Sequence, residues 1–162
     1  MRKYSWIAAL VVIVDQVVKW LCQDLAGSVT LIPHVLALNY AENTGMAFSL
    51  FSGRAWGLGV VSAVCILLGW WMLRRYTLGP VSRIAAMLML GGAVGNMIDR
   101  FLRGYVVDMF EALFVDFAIF NVADAALTVG AVLMAASLLL CPSEWETKKQ
   151  VARIRTGKSE DE

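Results

Sequence analysis

Long apolar runs dominate the chain and are parted by short polar stretches. Four of them, at about residues 4–25, 55–73, 84–98 and 117–141, approach the ~20 residues that a helix needs to cross a bilayer. The first, Tyr4 to Leu25, is interrupted by Asp15 and Lys19, whereas the second, Ala55 to Leu73, holds no charge and ends against Arg74 and Arg75. The third, Ile84 to Ile98, follows Arg83 and stops at Asp99 and Arg100; the fourth, Phe117 to Cys141, holds Asn121 and Asp124 near its start. Between the first two runs, residues 26–54 carry β-branched and apolar stretches around Val29–Ile32 and Val35–Leu38, parted by Pro33-His34, which predict short strands or a hairpin on the membrane surface. Residues 99–116 predict an acidic, glycine-bearing connection with Asp99, Asp108, Glu111 and Asp116, and residues 143–162 a mixed-charge tail, mobile or loosely helical. The pattern is that of one all-α integral membrane domain with four transmembrane helices and a small β-rich segment.

Composition agrees, with 59% hydrophobic and 17% charged residues and a mean hydropathy of +0.67, against about 45–50% and about 25% in soluble domains. The first run lacks an A-x-A-like cleavage site and has charges inside its apolar stretch, which argues against a removable signal peptide. A net charge of +1 argues against a nucleic-acid partner. One histidine, His34, excludes the HExxH and multi-histidine metal sites, and the three cysteines, Cys22, Cys65 and Cys141, fall in separate runs. Neither a metal nor a cofactor is expected.

Loop charge gives an orientation. Arg2, Lys3, Arg74, Arg75, Arg83, Lys148, Lys149, Arg153, Arg155 and Lys158 fall on one side, and only Arg54, Arg100 and Arg103 on the other, which places both termini in the cytoplasm. At about 1.5 Å per residue, Asp15 then lies about 15 Å and Lys19 about 9 Å below the outer end of the first span, and Asp124 about 10 Å below that of the fourth. Asn96 and Asp99 share one face at the outer end of the third. Three helices thus bring polar side chains to one level, where each ionisable group costs at least about 2.5–3.5 kcal/mol.

Several of these residues have ordinary structural roles open to them. Asp15 and Lys19, spaced i,i+4, can neutralise one another; Asn96 can join helices; Gly91 and Gly95, a G-x-x-x-G pair, can permit close packing. Asp124 has no basic residue within a helical turn and is the hardest to explain by structure alone. No G-x-S-x-G motif is present, and a serine–lysine pair of Ser49 with Lys19 conflicts with Asp15, which would hold the lysine protonated. Two carboxylates are better supplied: a pair sharing one proton can activate water and protonate a carbonyl oxygen. Spacing alone leaves Asp108 and Asp99 both open as the partner of Asp124. A proton- or ion-coupled transporter using Asp15, Lys19 and Asp124 is the rival reading, weakened by nearly apolar inner halves and by the absence of an internal repeat. A purely structural helper subunit would not need three helices to present acids and amides at one depth.

Four sequence blocks in order resemble those of the bacterial lipoprotein signal peptidases, the signal peptidase II family of membrane aspartic peptidases. They are Asp15-Gln16-Val17-Val18-Lys19; Asn43-Thr44-Gly45-Met46-Ala47-Phe48-Ser49; Gly91 to Arg100, continuing as Gly104-Tyr105-Val106-Val107-Asp108; and Phe120-Asn121-Val122-Ala123-Asp124. The resemblance spans about Ile13 to Gly130 and departs from the family pattern in Met46 and in a rather short stretch between Asp108 and Asp124. It implies cleavage of lipid-modified prolipoproteins just before the diacylglyceryl-cysteine. Asp108 and Asp124 match the catalytic pair. Asn43, Asn96, Arg100 and Asn121 match positions that bind substrate or support the site, and Asp15 and Asp99 match structural polar positions. Lys19, Ala123 and Gly95, in the same blocks, join the supporting set. The resemblance further implies an outer β-cradle, residence in the bacterial cytoplasmic (inner) membrane, and an active site on the outer side; a monomer in contact with membrane lipids is expected.

Overall fold

In apolar surroundings a backbone must satisfy its own hydrogen bonds, and helices do so along their length. The computed structural model describes residues 2–45, 54–142 and 145–147. Its helices are α1 (Ser5–Cys22), α2 (Ala55–Leu73), α3 (Pro80–Leu102) and α4 (Val122–Leu140), all long and apolar enough to cross a membrane. Their large side chains point outward, as Ile13, Leu67 and Leu139 do, while the polar ones turn inward.

Packing centres on α3, which touches each of the other helices and carries Gly91, Gly92, Gly95, Asn96 and Asp99 among its buried residues. A Cβ on Gly92 would stand 2.3 Å from the Ala123 carbonyl oxygen of α4, and one on Gly91 2.7 Å from Val11 Cβ of α1. Backbones therefore meet at a distance only glycine permits. By contrast, α2 buries only Ala55 and Gly59 and lies at the periphery.

At one end of the bundle, β1 (Val29–Ile32), β2 (Leu36–Asn43) and β4 (Val106–Ala112) form an antiparallel sheet in the order β1-β2-β4. His34, at φ 60°, turns the chain between β1 and β2. A bulge between Leu38 and Ala41 separates the pairing Leu38↔Phe110 from Ala41↔Asp108. Strand alternation then sends Val107 and Met109 into a core with Cys22, packed by Val18, Leu38 and Tyr40. At the opposite end, β3 (Tyr76–Leu78) pairs with β5 (Trp145–Thr147).

The elements correct the sequence expectations in several places. Residues 106–112 form a strand rather than a simple connection, because β2 supplies a partner far away in sequence. Phe117–Phe120 stays outside α4: Phe120 is bridged to Phe110, with N–H···O distances of 2.8 and 3.0 Å, and Asn121 caps the helix. The third helix begins at Pro80, whose missing N–H suits the first helical position, and runs through Asp99 and Arg100 to Leu102. Within the tail, Trp145–Thr147 is extended rather than helical; the Trp145 ring lies 5.8 Å from that of Tyr76 and its Nε1 donates to Ser137 Oγ at 3.3 Å. The first helix also ends at Cys22, so Lys19 sits in its last turn.

Candidate active site

Asp108 and Asp124 reach the same cavity from different elements. On β4, alternation turns Asp108 away from the Val107/Met109 core, and Asn43 at the end of β2 donates from Nδ2 to its Oδ2 at 3.0 Å. Asp124 occupies the first turn of α4 in a capping box: the Asn121 side chain accepts from the Asp124 N–H at 2.8 Å, and Asp124 Oδ2 accepts from the Asn121 N–H at 3.3 Å. It therefore lies about 3 Å along the helix from its start rather than about 10 Å, because residues 117–120 are not helical.

Two asparagines link the carboxylates. Asn121 Nδ2 donates to Asp108 Oδ1 at 2.6 Å, to Asn96 Oδ1 at 3.0 Å and to the Val107 carbonyl at 3.2 Å. Asn96 Nδ2 donates to Asp124 Oδ1 at 2.7 Å. Each carboxylate thus accepts from an amide that is itself held in place. Burial pushes Asp108 up to about 6, the nearby Asp124 charge adds to this, and the hydrogen bonds from Asn43 and Asn121 oppose it.

Beneath this pair lies a fully buried charged cluster. Lys19 Nζ stands 2.8 Å from Asp15 Oδ2, 2.8 Å from Asp99 Oδ2 and 2.9 Å from Asn96 Oδ1. Asp15 Oδ1 accepts the Ala123 N–H at 2.9 Å, satisfying a free donor of the first turn of α4. Asp99 Oδ2 accepts the Val107 N–H at 3.2 Å and so ties α3 to β4. Gly95 makes room: a Cβ there would lie 2.7 Å from Asp15 Oδ2 and 3.3 Å from Ala123 Cβ.

The cavity measures about 600 Å³. Asn43, Asn96, Arg100, Asp108 and Asp124 supply its polar wall; Phe117–Phe120 with Ala125 and Leu127–Val129 of α4 supply an apolar one. Arg100 donates to the Gly45 carbonyl at 3.2 Å, while its buried Nε has no partner among the described residues. Asp99, left open by spacing as the partner of Asp124, is fully buried against Lys19 and outside the cavity lining, whereas Asp108 lines it. Of the second sequence block, Met46–Ser49 lies outside the described residues, and with it Ser49. Sequence reasoning passed over Gln16, which donates to Asp99 Oδ1 at 3.1 Å and to Asp15 Oδ2 at 3.2 Å; its signal was its place between Asp15 and Lys19. It also passed over the Phe117–Phe120 wall, which was absorbed into the apolar run. Among the described residues, no three histidine, cysteine or carboxylate side chains are placed to hold a metal ion.

Comparison with known proteins gives this geometry a context. Residues 7–140 match the family model described as signal peptidase (SPase) II. The chain is 38% identical over 144 residues to the lipoprotein signal peptidase of Latilactobacillus sakei subsp. sakei (strain 23K), covering 86% of this chain and 95% of that protein. It is 42% identical over 151 residues to the lipoprotein signal peptidase of Nostoc sp. (strain PCC 7120 / SAG 25.82 / UTEX 2576), covering 88% and 94%. A solved structure described as a bacterial membrane enzyme, at 2.3 Å resolution, superposes with a TM-score of 0.80 at 29% identity, covering 100% of this chain and 94% of the other. A second so described, at 1.9 Å, gives 0.78 at 31% identity, covering 87% and 95%. Four apolar helices, a small sheet and these likenesses make this a multi-pass membrane protein, and the chain belongs to the signal peptidase II family of peptidases.

Proposed function

We propose that this peptidase removes signal peptides from prolipoproteins, cutting before the diacylglyceryl-modified cysteine, with Asp108 and Asp124 acting together on a water. The observation that carries the reading is that both side chains line one cavity whose facing wall is apolar and includes exposed residues of α4. A peptide bond with lipid chains attached beside it suits such a cavity, with its acyl chains along α4 and its backbone against Asn43 and Arg100. The names of the relatives, lipoprotein signal peptidases, support the substrate class.

Chemistry follows from one shared proton. Asp108, raised by burial, holds it, and its carboxyl donates it to the scissile carbonyl oxygen. The Asp124 carboxylate takes a proton from the water whose oxygen attacks the carbonyl carbon. Collapse reverses both roles: Asp124 protonates the leaving nitrogen, Asp108 recovers its proton from a hydroxyl, and the C–N bond breaks. Arg100, which can only donate and which lines the cavity, suits a substrate carbonyl. One chain supplies every group this chemistry uses, so a monomer suffices for it. Positive loop charge supports an orientation with both termini cytoplasmic, which puts the sheet and the cavity on the outer side; the bacterial relatives support residence in the inner membrane.

The test is a gel-shift cleavage assay in lipid, comparing a diacylglyceryl-modified prolipoprotein with its unmodified form. Wild-type enzyme should cleave only the lipidated form, and Asp108→Asn and Asp124→Asn should each abolish cleavage while remaining folded and inserted. Near-normal cleavage by either variant would remove that aspartate from the mechanism.

A further inference from the structure

Nothing in hydrolysis by two carboxylates calls for a buried lysine. Lys19 nevertheless sits behind the pair, fully buried and outside the cavity lining. Neutralising Asp15 within α1 would account for one of its contacts, and Asp99 for a second. The third is to Asn96 Oδ1, a neutral amide oxygen, at 2.9 Å.

That third contact has a directional consequence. An ammonium group only donates, so it accepts one face of the amide and rejects the other. With Oδ1 turned toward Lys19, Asn96 Nδ2 must point the opposite way, and there it donates to Asp124 Oδ1 at 2.7 Å. The same Oδ1 also accepts from Asn121 Nδ2, whose other contacts include Asp108 Oδ1 at 2.6 Å. A flipped Asn96 would place its NH2 against two donors and its oxygen against a carboxylate. All three ammonium N–H groups have acceptors at 2.8–2.9 Å, so the lysine has no slack with which to follow such a flip.

We propose that Lys19 is a positioning residue for the hydrolytic pair: it fixes the orientation of the Asn96 amide, and through it the donors aimed at Asp124 and Asp108. The inference rests on the two-aspartate reading above and gives the lysine a role beyond pairing charge. Groups that orient a reacting side chain are worth about 10–100-fold when removed.

Lys19→Met alone leaves Asp15 and Asp99 facing each other without their cation, so the test is made in an Asp99→Asn background, in which each double variant keeps the net charge of the wild-type cluster and each differs from the Asp99→Asn parent by the same single charge. The amide introduced by Asp99→Asn retains an oxygen for the Val107 N–H. Two double variants are compared with Asp99→Asn itself, with kcat expressed per folded molecule: Lys19→Met, which has no donor, and Lys19→Gln, which has a neutral one. The Met variant is expected to lose about 10–100-fold in kcat with KM unchanged, and the Gln variant to stay within about threefold of its parent. Both lose the same charge, so the alkaline limb of kcat/KM should move upward equally in both. Asp108 is flanked by Asp124 and Arg100 as well as by Lys19, and those two groups are untouched in either variant. Equal kcat for the Met and Gln variants would overturn the proposal and leave Lys19 a charge partner only. If neither double variant folds, Lys19→Gln alone decides, since it keeps a donor for Asn96 Oδ1 without the charge. A kcat within about threefold of wild type would uphold the proposal, and a loss of tenfold or more would overturn it, the charge rather than the donor then being what the site needs. Asp108→Asn, run alongside, separates the two readings, since cleavage by that variant would sink the two-aspartate mechanism itself.

Discussion

Replacing Gly92 by alanine adds one methyl group where α3 meets the first turn of α4. That carbon would stand 2.3 Å from the Ala123 carbonyl oxygen and 2.8 Å from Leu127 Cγ, whereas ordinary contact begins at 3.4 Å. The helices must therefore part by about 1.1 Å at this level. Ala123 directly precedes Asp124, and its N–H is tied to Asp15, so the displacement is carried into the proposed catalytic pair. Misplacement of about 1 Å costs about 100-fold in rate. Overpacking costs about 1–3 kcal/mol in stability, partly offset by the roughly 1 kcal/mol by which alanine exceeds glycine as a helix former. The assay is kcat for cleavage of a lipidated prolipoprotein in vesicles, with thermal unfolding measured on the same preparation. Gly57→Ala and Gly69→Ala, on the exposed side of α2 where nothing lies within 4 Å, serve as controls and should leave activity within about twofold. If Gly92→Ala keeps kcat within threefold of wild type at an unchanged Tm, the backbone contact does not hold Asp124 in place and the reasoning fails.

Other outcomes follow from the same geometry. With Asp108 raised to about 6, the proposed two-aspartate mechanism requires kcat/KM to fall about tenfold per pH unit above that value, and a profile flat to pH 10 would contradict it. Asn43 donates to the charged form of Asp108, so Asn43→Ala should move that limb to higher pH; a downward shift would show that the hydrogen bond does not act on Asp108. The proton that folded Asp108 keeps, and the unfolded chain releases, favours folding below about pH 4. That contribution is lost as pH rises to about 6 and amounts to about 3 kcal/mol, which unfolding titrations in detergent would register. Asp15→Ala leaves Lys19 with one carboxylate and the Ala123 N–H without an acceptor, and should destabilise by about 3–5 kcal/mol; a loss under 1 kcal/mol would mean the cluster is not sealed from water.

Helices announced themselves in the sequence because a bilayer demands long apolar runs, and the i,i+4 spacing of Asp15 and Lys19 was enough to foresee their pairing. Strand β4 was hidden. Asp108 and Glu111 make it look like a polar connection, and its partner β2 lies some 65 residues away along the chain. The start of α4 was misplaced for the opposite reason: Phe117–Phe120 is apolar enough to read as helix, yet it bridges to Phe110. A better signal was present in Asn121-x-x-Asp124, the spacing of a capping box. The sequence placed acids and amides at one depth, but which acid faces the cavity depended on the pleat of β4. That pleat turns Asp108 inward, while Asp99 is spent on Lys19.

The Lys19–Asp15 pair also bears on how the protein is made. The first helix leaves the ribosome long before its polar partners exist: Asn96 follows Lys19 by 77 residues, and Ala123 follows Asp15 by 108. A lone charge entering the bilayer centre costs about 2.5–3.5 kcal/mol. Having a countercharge one turn away on the same helix, 2.8 Å distant in the finished protein, lets α1 enter the membrane neutralised before α3 is synthesised. Insertion and final assembly thus draw on the same two side chains at different times. They serve first as a self-contained pair for the translocation machinery, and afterwards as the socket into which the third and fourth helices fit.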